Sequence, residues 1–174
     1  MVYIMEFEVD GGCRGNGYSH AEGAAAACLM TRSSSYYTRT RRLDATPQWA
    51  TSQRAEILAI IIALEWALEK YDELESEPKL AVSIKSDSRY AVNCMSKWVY
   101  KWCNNGWINA KGDEVANRDL IEEASDLDDR VKELGTVDYL YIPRAQNTEA
   151  HKACDELLSG EEDASTGYSS DGFW

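Results

Sequence analysis

No apolar run in this chain approaches the roughly twenty residues that a helix needs to cross a bilayer, so the sequence holds no membrane span. The opening residues, MVYIMEFEVD, lack both the basic region and the cleavable apolar segment of a secretory leader. With no mitochondrial presequence and no basic nuclear signal either, the expected location is intracellular, cytoplasmic or nuclear. The five cysteines, Cys13, Cys28, Cys94, Cys103 and Cys154, are odd in number, scattered and without CxxC spacing. That argues against both a disulfide framework and a zinc knuckle, and the thiols are expected to be reduced. Internal repeats are missing. Bases are in short supply, with 18 Lys and Arg against 30 Asp and Glu and a formal net charge of −12. Such a deficit weighs against general nucleic-acid binding, in which phosphate neutralisation dominates affinity. The last sixteen residues, SGEEDASTGYSSDGFW, hold four of the acids and no base. The remainder is still strongly acidic, so any surface for phosphates has to be local, or a divalent cation has to offset the acids.

What is present fits one domain by size, residues 1–158, followed by an acidic tail over 159–174 whose low hydrophobicity predicts disorder. The chain is organised around MEFEVDGGCRGNG, where an alternating strand pattern over residues 1–9 reaches Asp10 and a turn built on Gly11, Gly12, Gly15 and Gly17 follows. Residues 21–31 and 35–43 read as two further strands, and the short connections make an antiparallel meander. Pro47 lies in the loop before Thr51, a residue able to cap the next element. That element, TSQRAEILAIIIALEWALEKY over 51–71, is apolar around most of its circumference and must be nearly buried as a helix. Two acids, Glu56 and Glu65, sit inside its apolar run, where a carboxylate is costly unless paired or bound to a metal.

A fourth strand over 80–85 leads to Asp87, with a helix starting at Ser88. Asp87 by itself could be no more than a helix cap. Residues 93–106 read as two short helical segments with Trp98 and Trp102 one turn apart and Lys97 and Lys101 beside them. An acidic amphipathic helix over 116–134, a strand over 137–142 and a last helix over 147–158 complete the order. Three strands, a helix, a strand, helices, a strand and a helix predict an α/β fold with a mixed five-stranded sheet, three strands antiparallel and then two parallel, covered by helices on both faces. If the first and fourth strands are neighbours, Asp10 and Asp87 lie side by side near the start of the long helix with Glu56. Clustered hard oxygen ligands of this kind suit Mg²⁺ or Mn²⁺ and, with two ions, in-line attack on a phosphodiester.

Four blocks in matching order and spacing carry a resemblance to type 1 ribonuclease H: DGGCRGNG from Asp10, TSQRAEILAIIIALEWAL from Thr51, SDSRYAVNCMSKWVYKWCNNGWI from Ser86 and EVANRDLIEE from Glu114. The resemblance implies a ribonuclease H-like fold and hydrolysis of the RNA strand of an RNA/DNA hybrid, with two Mg²⁺ or Mn²⁺ ions held by Asp10, Glu56 and Asp87. It further implies that Cys13, Arg14 and Asn16, with Ser52 and Gln53, meet the minor groove, where 2′-hydroxyls mark RNA. Ser52 stands where the family usually has Asn. Thr51 and Asn117 match positions that grip a DNA phosphate, and Trp98 and Trp102 match the channel for the DNA strand, although core packing accounts for either tryptophan as well. Lys97, Lys101 and Lys111 make a thin basic set, so binding is expected to be modest and salt-sensitive. The chain is expected to act as a monomer, with no protein partner evident.

The pattern breaks at the end. Family members complete the site with a fourth carboxylate in the last helix, often with a histidine in the loop before it. In the variant with a short PRxxN loop an Ala-Asp pair stands where YIPRAQNTEAHKACDELL has Ala150 and His151. The loop histidine position falls at Ala145 or its neighbours, and His20 reads as an exposed loop residue. From Ala150, apolar residues recur three, four and seven positions on, at Ala153, Cys154 and Leu157, as in the family. The same count from Cys154, which would support Asp155, reaches Glu161 and fails. Helical phase therefore favours His151 at the fourth position, with Asp155 one turn away as the alternative. Imidazole suits Mn²⁺ better than Mg²⁺. Two other readings stay open: a hybrid-binding protein with weak or lost catalysis, and a DNA-directed nuclease of the wider superfamily.

Overall fold

The computed structural model describes residues 1–16, 18–43 and 50–160 of the chain. Gly17, the loop around Pro47 and the acidic tail from residue 161 lie outside the described residues. Five strands form one sheet: Val2–Arg14 (β1), Glu22–Met30 (β2), Tyr36–Leu43 (β3), Lys79–Ser86 (β4) and Gly135–Tyr141 (β5). Their order is β3-β2-β1-β4-β5, with β1 antiparallel to β2 and parallel to β4. The mixed sheet is as expected, and β1 and β4 are neighbours.

Alternation along β1 divides its side chains between two helices. Phe7 and Val9 face the long helix Ser52–Glu73 (α1), packing with Ile57, Ile60, Ile61 and Leu64, while Val82 and Ile84 of β4 extend the same core. On the other face lies Thr148–Leu158 (α5), whose Leu158 and Cys154 approach Gly12. The four alanines Ala24–Ala27 of β2 are fully buried because both faces are covered, which explains why that strand reads as a small, continuous apolar run. A further helix, Arg118–Lys132 (α4), covers the outer side of α1 with Leu120, Ile121, Ala124, Leu127 and Val131, so α1 is enclosed nearly all round. Glu65, the second acid in that helix, is half-exposed and pairs with Arg41 of β3 at 2.7 Å.

Two expectations are corrected. The first strand does not stop at Asp10: it runs on to Arg14, with Gly11 paired to Ala25 and Gly12 to Ala24. The glycines serve close packing rather than a turn, since a Cβ at Gly11 would fall 2.3 Å from the carbonyl carbon of Ala55 and the amide nitrogen of Glu56. The turn comes later, at Gly15 with φ +65°. Secondly, the segment expected as two short helices over 93–106 is one continuous bulged helix: Arg89–Asn93 (α2), a π-turn over Cys94–Trp98, and Val99–Asn105 (α3). The wider turn takes up the extra residue without breaking the helix, which Gly106 ends at φ +78°. Gly11→Ala should destabilise the protein by at least about 2 kcal/mol, because backbone rather than a flexible side chain has to give way. Urea unfolding measures this, and an unchanged midpoint would contradict the close approach of α1 to β1.

Candidate active site

Parallel pairing of β1 with β4 runs through Val9 and Ser86, so Asp10 and Asp87 are the next residues along two adjacent strands. From above, Gly11 admits the first turns of α1, which sets Glu56 against them. Ligand atoms of Asp10, Glu56 and Asp87 all lie within 4.8 Å of one another. Asp10 is only 4% exposed, and one oxygen of Glu56, Oε2, is buried with no hydrogen-bond partner. Burial, followed by the charge of Asp87, raises the Asp10 carboxyl from its ordinary 3.8 to about 6. Burial, then Asp10 and Asp87, raises that of Glu56 from 4.5 to about 9. Three crowded acids, of which Asp10 and Glu56 resist ionisation and Glu56 has an orphaned oxygen, fit a divalent cation. The N-cap role considered for Asp87 falls instead to Ser88, which accepts from the amide of Ala91 at 3.1 Å.

His151 stands outside that group of three but in contact with it, and Asp155 is in contact with His151. His151 Nδ1 lies 3.0 Å from Asp10 Oδ2, and its Nε2 lies 3.2 Å from Asp155 Oδ2, placing Asp155 behind the imidazole. Arg144 Nη2 sits 3.3 and 3.2 Å from the two ring nitrogens. Here Ala150, Cys154 and Leu158 form the buried stripe of α5.

Of the other expected residues, Cys13, Arg14, Ser52 and Gln53 line the same cleft as the three acids. Cys13, half-buried, and Arg14, exposed, lie at the end of β1, and Asn16 Oδ1 accepts from the backbone amide of Ser52 at 2.7 Å, tying the glycine-rich segment to the start of α1. Gln53 is exposed beside Ser52. Thr51 caps α1 by accepting from the amide of Arg54 at 3.1 Å. Asn117, at φ +62° before α4, donates to the Tyr90 hydroxyl at 2.9 Å. Tyr90, Trp98, Trp102 and Trp107 then follow as a chain of tilted rings about 6 Å apart. Trp98 is 37% exposed, whereas Trp102 is partly buried against the core. Lys97, Lys101 and Lys111 are exposed, as is His20, which stacks on Tyr18 at 5.7 Å.

Comparison with known proteins agrees with this arrangement: the RNase H family model matches residues 4–161. The chain belongs to the ribonuclease H family. A ribonuclease H from Anaeromyxobacter dehalogenans (strain 2CP-C) is 35% identical over 118 residues, covering 68% of this chain and 57% of that protein. This chain thus spans little more than half the length of that curated relative. Among solved structures, LC9-RNase H1, a type 1 RNase H with the type 2 active-site motif, has a TM-score of 0.66 at 22% identity, covering 90% of this chain and 72% of the other. LC11-RNase H1, solved in complex with an RNA/DNA hybrid, has a TM-score of 0.59 at 19% identity, covering 88% and 99%. At such identities the structural likeness is one of fold.

Two buried polar residues that brace this region escaped the sequence reading. Asn147 is fully buried, and its amide donates to the Val9 carbonyl at 2.8 Å and to Asp87 Oδ1 at 3.4 Å, so it holds β1, α5 and one acid in register. Among Arg144, Gln146, Thr148 and Glu149 nothing in the sequence marked it out. Arg54, 3% exposed, forms a two-pronged pair with Asp119 at 2.8 and 2.7 Å, joining the start of α1 to that of α4 and thereby Thr51 to the neighbourhood of Asn117. Nothing in its position within an apolar helix announced the partner.

The raised carboxyls give the metal-free protein a pH dependence of definite sign. Between the ordinary values near 4 and the folded values of about 6 and 9, the native state binds more protons than the unfolded chain. Stability is therefore greatest below about pH 4 on account of these groups and declines as pH rises through that window. Thermal unfolding in EDTA should show a melting temperature that falls between pH 5 and pH 9, with Mg²⁺ or Mn²⁺ restoring more at the upper end. Glu56→Gln should flatten the decline; a decline of the same size in that variant would contradict the assignment.

Proposed function

We propose that this chain is an endonuclease that hydrolyses the RNA strand of RNA/DNA hybrids with two divalent ions. The observation that carries the reading is the convergence of Asp10, Glu56 and Asp87 within 4.8 Å at the floor of a cleft, in a member of the ribonuclease H family. Asp10, Glu56 and Asp87 would hold the ions, and Asn147 keeps Asp87 aimed at them. When bound, Mg²⁺ or Mn²⁺ supplies Lewis acidity for attack of water on the phosphorus and offsets charge on the departing 3′ oxygen.

The remaining residues select and place the substrate. Cys13, Arg14, Asn16, Ser52 and Gln53 present short polar groups and backbone to the minor groove, where the 2′-hydroxyl separates RNA from DNA. Thr51 and Asn117 take a phosphate of the DNA strand, and exposed Trp98 with Trp102 beside it offers ring surface to that strand. No helix among the described residues is long and apolar enough to cross a membrane. We also propose that the protein acts as a monomer inside the cell.

His151 takes the fourth position in this reading, supported by its 3.0 Å contact with Asp10, while Asp155 acts through it. A nitrogen ligand there lowers activity with Mg²⁺ relative to Mn²⁺. The same contact favours the second reading, a hybrid-binding protein with little turnover.

One gel assay separates the possibilities: hybrid, RNA duplex and DNA duplex with Mg²⁺ and Mn²⁺ in parallel. Cleavage of the RNA strand of the hybrid is expected, with the better rate in Mn²⁺, and binding without cleavage in either metal identifies the second reading. Asp10→Asn, Glu56→Gln and Asp87→Asn should each reduce the rate by more than about a hundredfold, beyond the loss caused by an outer partner of a ligand. His151→Asp should raise the Mg²⁺ rate selectively. Equal Mg²⁺ rates in wild type and His151→Asp would remove His151 from the fourth position.

A further inference from the structure

The carboxylates lie mid-way along a cleft of about 520 Å³, and only one of its two ends has been assigned a role. Cys13 and Arg14 line the first end, which belongs to the β1–β2 side of the sheet, where Arg14 pairs with Glu22. Tyr141 and Arg144 line the second, on the β5 side, where Tyr141 pairs with Ser86, one residue before Asp87. Asp10, Glu56 and Asp87 come between. Next to this second end, Arg89 opens α2 two residues after Asp87 and lays its guanidinium over the Tyr141 ring, 4.0 Å from the centroid.

Three features of that stack matter. Arg89 is exposed, and no acid among the described residues pairs with it. It follows Asp87 by two residues, in a chain of net charge −12. Tyr141, 40% exposed, holds the guanidinium on one side, and no acid among the described residues takes its N–H groups. A planar fork held in this way suits a phosphodiester oxygen pair.

We propose that Arg89, positioned by Tyr141, binds a backbone phosphate of the RNA strand on the β5 side of the cut. This inference rests on the hybrid-ribonuclease reading and deepens it. The strand enters past Cys13 and Arg14, crosses the carboxylates and is held again at the Arg89–Tyr141 stack, so the scissile phosphate lies between two anchored points. Positioning of this kind lowers the entropy lost on reaching the reactive geometry.

The test measures binding of a fluorescent RNA/DNA hybrid by anisotropy, with Mg²⁺ present and Asp10→Asn as the parent to prevent cleavage, over a range of salt. Adding Arg89→Ala should weaken binding roughly five- to tenfold at low salt, as loss of one charged hydrogen-bonding group predicts. It should also reduce the slope of log affinity against log salt by about 0.7 to 0.9, the share of one phosphate contact. Arg89→Lys should recover the slope but only part of the affinity. Tyr141→Phe should bind as the parent does, whereas Tyr141→Ala should lose affinity. In the cleaving enzyme Arg89→Ala should raise KM more than it lowers kcat, and its melting temperature should match that of wild type. A parent that binds hybrid, combined with an Arg89→Ala variant of equal affinity and slope, overturns this inference alone. A parent that binds no hybrid, together with a wild type that cuts none, overturns the ribonuclease reading and this inference with it.

Discussion

Electrostatic repulsion among Asp10, Glu56 and Asp87 is the constraint around which the structure is arranged. Left to itself it would drive the three apart, and each is kept in place by something uncharged: parallel pairing of β1 with β4 for the aspartates, and the missing side chain of Gly11 for Glu56. The hydrophobic core beneath, Phe7 and Val9 against Ile57, Ile60 and Ile61, supplies the rigidity that makes such crowding possible. Asn147 adds a neutral tie from α5, and His151 a polar contact that can accept or share a proton with Asp10. Fold stability and site geometry thus work against each other.

Acidity of the whole chain sharpens the same problem for the nucleic-acid substrate proposed above. Affinity cannot come from overall charge, so it has to come from cations set at particular points and from ring surface that is indifferent to charge. The described cations near the cleft are distributed in this way, Arg14 at one end and Arg89 and Arg144 at the other, with Lys97 and Lys101 on the helix that carries Trp98 and Trp102. The aromatic chain from Tyr90 to Trp107 connects that helix to Asn117 and the core.

Much of this was legible in the amino-acid sequence because the informative residues violate local expectations. Glu56 inside an apolar helix and Asp10 at the end of an alternating strand both demand an explanation, and the mixed sheet follows from element order alone. Features set by contacts across the fold were not legible. Gly11 and Gly12 look like a turn, and only the presence of α1 and α5 on opposite faces shows that they continue the strand. Helical phase pointed to His151 rather than Asp155, but could not show that the two stack one behind the other from Asp10 outward. Arg54 and Asn147 acquire meaning only from partners on α4 and β1.

Proton release on metal binding tests the central claim most directly, because it counts how many of the crowded acids are neutral until a cation enters. Titration of Mn²⁺ into the protein by calorimetry at pH 7.5, in buffers of differing ionisation enthalpy, yields that number. With the Glu56 carboxyl raised to about 9 and that of Asp10 to about 6, close to one proton should leave per protein as the metal binds, and Glu56→Gln should abolish the release. Tight binding of Mn²⁺ with no proton released would contradict the account.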